Sequence, residues 1–183
     1  MDAWVWIVII VAAVIVILLV IAAIAAQRRR RAQTEHLRST FGDEYDRMAG
    51  GREREERRAA EAELARREMR REHLDIRPLP VESRNQYLDR WRDIQSAFVD
   101  EPEQSVVKAE DLVVRVMSDR GYPVANEFEN QAELISVDHP DLVSNYREAH
   151  RVYQRSLEDH ADTEELRSSF VHYRSLFNEL LAA

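Results

Sequence analysis

IAAIAAQRRRRAQ, residues 21–33, passes from pure hydrocarbon to four consecutive arginines within a single helical turn. Upstream of it, Ala3–Ala26 is a run of 24 residues without one charged or strongly polar side chain. As an α-helix rising about 1.5 Å per residue, the run extends roughly 36 Å, enough to cross a hydrocarbon core of about 30 Å. Trp4 and Trp6 stand at its leading edge, where an interfacial aromatic belt would lie. A secretory signal wants a basic n-region and an apolar stretch of about 7–15 residues. Here the n-region is Met1-Asp2 and the run is longer, although Ala25-Ala26-Gln27 offers a weak cleavage site. The stretch reads as a retained transmembrane anchor.

The arginines set the expected direction. Nothing basic precedes the span, and Arg28, Arg29, Arg30 and Arg31 follow it at once. Arginines beside a span are held on the cytoplasmic side. The expectation is a single-pass cell-membrane protein, N-terminus out, with everything from Gln27 onward in the cytoplasm. The same collar attracts anionic lipid headgroups, each arginine contributing about 1 kcal/mol near the surface. Arg28–Arg31 are thus the expected topology and membrane-surface determinant.

Composition narrows the rest. The chain has 183 residues, no cysteine, four glycines and five prolines. Hairpins and sandwiches need more turn formers than this, so the fold class is all-α. Without cysteine there are no disulfides and no thiolate metal sites. Formal net charge is −8; Asp2 accounts for −1 and Arg28–Arg31 for +4, which leaves −11 on residues 32–183. Such a surface repels phosphate backbones, so nucleic acid is not an expected partner.

Three segments are expected: residues 1–31 as anchor and arginine cluster, 32–78 as charged linker and spacer helix, and 79–183 as an acidic helical module. Residues 32–49 read as a polar juxtamembrane stretch, interrupted by Gly42, with Thr40 or Asp43 available as a cap. In GGREREERRAAEAELARREMRREHL, residues 50–74, glutamates precede arginines by three or four positions, as in Glu63–Arg66, Glu63–Arg67 and Glu68–Arg71. Each such pair adds about 0.2–0.5 kcal/mol to a helix with no buried face. Its apolar positions Ala62, Ala65, Met69 and Ile76 follow helical spacing only loosely, so a solvated spacer is expected, with a short coiled coil as the alternative. The prolines of DIRPLPVES, residues 75–83, close it.

Beyond them, apolar residues recur at helical spacing in about five stripes. They are Tyr87/Trp91/Ile94/Phe98, Val106/Ala109/Val113/Val116/Met117, Phe128/Ala132/Ile135, Leu142/Tyr146/Ala149/Tyr153/Leu157 and Leu166/Phe170/Tyr173/Phe177/Leu180. Asp100 and Asp138 are candidate N-caps, Gly121 a C-terminal cap, and Asp162 with Glu165 a capping box. Five amphipathic helices of this length can close one core.

The words LRSTFGDEYDRM, LDIRPLP, RWRDIQSAFVDEP, RGYPV, SVDHP and DTEELRSSFVHYRSLFNELL, in this order, resemble an uncharacterised family of bacterial, actinomycete-type proteins. The likeness covers nearly all of the chain after residue 34. Its pattern often has Pro where this chain has Asp43. The resemblance implies a membrane-anchored helical protein and carries no activity or catalytic residue with it.

Gly42, Gly50, Gly51 and Gly121 cannot build a dinucleotide fingerprint, a P-loop or a nucleophile elbow. No H-E-x-x-H occurs, and no histidine has Glu three residues before it. Asp138-His139 beside Asp141 suggests a metal or acid/base site, against which stands a plain helix start. His150 reads as a core-edge histidine, and His172 as facing solvent or a groove. No catalytic, cofactor-binding or metal-binding residue is assigned, and no cofactor is expected. The function expected is a membrane-anchored interaction or scaffold protein with an unidentified protein partner. The alternatives are an envelope protein with its module outside the cytoplasm and a metal-assisted hydrolase. Homo-oligomerisation through the anchor or the spacer is a further option; the span has no G-x-x-x-G and offers only the Ala22–Ala26 pair.

Overall fold

The computed structural model describes residues 3–124, 128–158 and 160–182, with the side chains of Ala3 and Val5–Val11 left out of the description. Asp2 and the side chain of Trp6 lie outside the described residues. Seven helices and no strand occur among the described residues: α1 Ala3–Ala49, α2 Arg54–Glu72, α3 Val81–Ala97, α4 Pro102–Arg120, α5 Phe128–Asp138, α6 Pro140–Ser156 and α7 Thr163–Ala182. The chain divides into two compact units, Met1–Thr40 and Phe41–Ala183.

The first unit is helical through its described residues. Every side chain from Ala12 to Gln33 is exposed, with Leu19 at 64%. An exposed run of Val, Ile and Leu this long is what a helix solvated by lipid requires and what water penalises. One helix among the described residues is long and apolar enough to span a membrane, and this is it.

The second unit begins with the end of α1, which breaks at Gly42 (φ 47, ψ −124). That region is open to glycine and closed to residues with a Cβ. Its core is built by α3–α7, as the apolar stripes lead one to expect. Tyr87, Trp91 and Ile94 of α3, all five stripe residues of α4, and Leu166, Phe170, Tyr173, Phe177 and Leu180 of α7 are buried together. The Trp91 ring stacks on Phe170 and Phe177 at centroid distances of 5.0 and 4.6 Å. On α6 the buried face is Val143, Tyr146, Ala149, Val152 and Ser156, one position round from the expected stripe at both ends. Leu157 lies beyond the helix and is 60% exposed.

The charged helix expected as a solvated spacer within residues 50–74 is instead packed into the second unit, as is the end of α1 before it. Phe41, Tyr45 and Ala49 are buried, as are Ala60, Leu64 and Arg67 of α2, which packs on α5. Of the residues expected to carry any buried face, Ala62 and Met69 are exposed and Ala65 is half-buried, while Ile76 packs against the core. The proline segment is also part of the unit. Leu74, Ile76 and Leu79 pack against the core, and the Arg77 N–H donates to the Arg120 carbonyl at 2.8 Å. Gly121 ends α4 at φ 103, and a Cβ there would fall 2.4 Å from the Asp75 carbonyl oxygen. Both the left-handed turn and the close approach demand glycine at this place.

Of the expected caps, the Asp162–Glu165 box forms, with the Glu165 N–H donating to Asp162 Oδ1 at 2.9 Å and the Asp162 N–H to Glu165 Oε2 at 3.1 Å. Asp100 does not cap α4, whose N-cap position is Glu101 with Pro102 next. Asp138 does not cap α6 either; His139 occupies that position, followed by Pro140.

Phe177 is fully buried and Val171, on the same helix, is 52% exposed. Phe177→Ala is expected to lower unfolding stability by about 3–5 kcal/mol, and Val171→Ala by no more than about 0.5 kcal/mol. Denaturant titration of the full chain in detergent measures both.

Candidate functional site

The arginines named from the sequence, Arg28–Arg31, lie in the first unit and are all exposed. The second unit contains charged residues that the sequence reading passed over. Glu44, whose side chain is 1% exposed, accepts hydrogen bonds from three arginines. Arg47 lies one helical turn along at 2.7 Å, Arg67 of α2 at 3.0 Å and Arg147 of α6 at 2.9 and 3.1 Å. Arg67 also donates to Glu133 of α5 at 3.1 Å, and Arg70 to the same carboxylate at 2.5 Å. Nearby, the Tyr45 hydroxyl donates to Glu61 at 2.9 Å. A buried carboxylate is tolerated only where it is paired and hydrogen-bonded on this scale. Burial by itself raises the Glu44 pKa, but the hydrogen bonds from Arg47 and Arg147 and their positive charge outweigh it, bringing it to about 2.

A second cluster forms at Asp138. Its carboxylate accepts from Arg71 at 2.6 Å and from the Tyr122 hydroxyl. Burial and the Asp138 carboxylate together push the Tyr122 pKa upward, which keeps the phenol protonated. His139 beside it is held below its ordinary pKa by burial. The Arg120 guanidinium, also buried, donates to the carbonyls of Leu180 at 3.0 Å and Arg77 at 3.3 Å. Segments LDIRPLP, RGYPV and SVDHP, distant in the chain, thus meet in one place.

The Asp138, His139 and Asp141 constellation does not assemble. Asp138 is engaged by Arg71 and Tyr122, His139 Nδ1 lies 3.9 Å from Glu179, and Asp141 is exposed. No group of three or more His, Asp or Glu able to hold a metal occurs among the described residues. His150 stands at the core edge, as its spacing indicates, stacked on Phe128 at 3.6 Å with Nδ1 3.2 Å from Glu110. His172 is half-buried, 3.4 Å from the Ser168 hydroxyl.

Both charged clusters clamp α2 to its neighbours. The signal in the sequence was present but disguised: Ala60, Leu64, Arg67 and Arg71 follow steps of 4, 3 and 4, with arginine in two core-facing places. The arrangement ties α2 to α5, to α6 and to the segment after Gly42 through paired charges. No protein-family model matches this chain, and no curated protein or solved structure matches it.

Glu44→Gln leaves three arginines facing a neutral amide and is expected to cost about 3–5 kcal/mol of unfolding stability. Because the folded-state pKa of Glu44 is depressed from 4.5 to about 2, its contribution is complete above about pH 4.5 and is lost as pH falls toward 2. Wild type should therefore lose stability steeply through that window and Glu44→Gln less so. Thermal unfolding followed by circular dichroism at stepped pH reads the difference.

Proposed function

We propose that the protein is a single-pass, membrane-anchored interaction protein that displays its acidic helical module in the cytoplasm to a protein partner. The observation that carries this reading is the first unit's helix, whose apolar side chains are exposed from Ala12 to Ala26 and are followed at once by Arg28–Arg31. A lipid core satisfies that surface, and the arginine collar favours the cytoplasmic side and anionic headgroups. The second unit supports a binding role. It is a well-packed helical body with a net acidic surface, and its buried charges are consumed in holding helices together.

The absence of cysteine makes orientation directly measurable. Val99 is 85% exposed, so Val99→Cys supplies a single accessible thiol in the second unit. A membrane-impermeant maleimide is expected to label it in inverted membrane vesicles and to leave it unlabelled in intact cells. Labelling in intact cells would place the module outside the cytoplasm and refute the proposed orientation.

A further inference from the structure

Between α2 and α5 lies an open groove of about 620 Å³. Arg66, Met69, Arg70 and His73 line one side, and Pro123 and Leu134 contribute on the other. Arg66, Met69 and Arg70 of α2 and His73, its C-cap, stand at i, i+3, i+4 and i+7, so one continuous face borders the groove. That face is unlike the rest of α2. Met69, the only large apolar side chain of the helix besides buried Leu64, is 52% exposed, and Leu74 and Leu134 line the groove with it.

Charge separates this groove from its surroundings. The protein carries −8 overall, yet the groove is lined by two arginines and a histidine and by no carboxylate. Arg66 is paired with Glu63 at 2.6 Å and Arg70 with Glu133 at 2.5 Å. Neither glutamate lines the groove, and the two arginine side chains remain 56% and 47% exposed. Guanidinium groups one helical turn apart, beside an exposed methionine, match a binding partner that alternates acidic and apolar positions with helical period. Methionine suits such a groove because its side chain adapts to the shape placed on it.

We propose that this groove docks an acidic amphipathic helix of the partner protein. The partner's apolar residues, spaced i, i+3/i+4 and i+7, lie against Met69, Leu74 and Leu134, and its Asp or Glu residues face Arg66 and Arg70. This rests on the interaction role proposed above and adds where the partner binds and what it must look like.

The test uses the full chain in its own membrane, with photoreactive benzoylphenylalanine in place of Met69 or, separately, of Val99. The Met69 probe is expected to form an adduct with a segment that mass spectrometry maps to an acidic, helix-patterned sequence. Arg66→Glu together with Arg70→Glu should reduce its yield at least roughly fivefold. Because Arg70 also pairs with Glu133, Arg66→Glu alone is the second variant; its own pairing stays within α2, and it should reduce yield in the same direction. An adduct to lipid, to a second copy of this chain or to a segment without acidic residues overturns the groove assignment. So does a Met69 probe that stays silent while the Val99 probe captures a protein, although the interaction role would then stand. Silence at both positions overturns the two together.

Discussion

A carboxylate taken out of water has to be met by positive charge, and in this protein Glu44 is met by three guanidinium groups from three separate stretches of chain. Arg47 is its near neighbour, Arg67 belongs to α2 and Arg147 to α6; through Arg67 and Arg70 the network continues to Glu133 on α5. An ion network of this kind contributes little net stability compared with an apolar replacement, but leaving any one member without its partners is costly. Its consequence is selective. The segment after Gly42, the charged helix α2 and the α5–α6 pair must adopt one arrangement together, because any other strands a buried charge.

That constraint decides where the folded body begins. Apolar burial alone would close a bundle of α3–α7, with Trp91 between Phe170 and Phe177 at its centre. The charge network extends the unit upstream to Phe41, and the contacts of Arg77, Arg120 and Gly121 fasten the proline-containing connection to α4 and α7. With α2 held in place, its opposite side is presented as a fixed surface. A free charged helix would sample many orientations, whereas this one is clamped to its neighbours at Arg67 and Arg71.

Much of this architecture could be read from the letters, and the failures have a common cause. Helices α3, α4 and α7 were visible because most of their buried positions are apolar and fall at helical spacing, and the Asp162–Glu165 box because both partners lie within four residues. On α2 the stripe is completed by Arg67 and Arg71, residues that periodicity counts as surface. Their partners lie 23, 66 and 67 residues away, at Glu44, Glu133 and Asp138, so nothing local marks them as buried. Asp138 failed as a helix cap for the same reason: its carboxylate is committed to Arg71 and Tyr122. Phe41 and Tyr45 were passed over because the polar residues around them hid a four-residue step. The exposed apolar helix and its arginine collar needed no long-range information, since composition alone separates them from the rest.

Amide hydrogen exchange across Arg54–Glu72 tests most directly whether the charged helix belongs to the folded body. A helix held by buried contacts exchanges only through opening of the unit, whereas a solvated 19-residue helix frays and exchanges rapidly. The amides around Leu64 and Arg67 should be protected to about the same degree as those of α6. Exchange there within seconds, while α6 and α7 stay protected, would contradict the account and return α2 to a solvated tether.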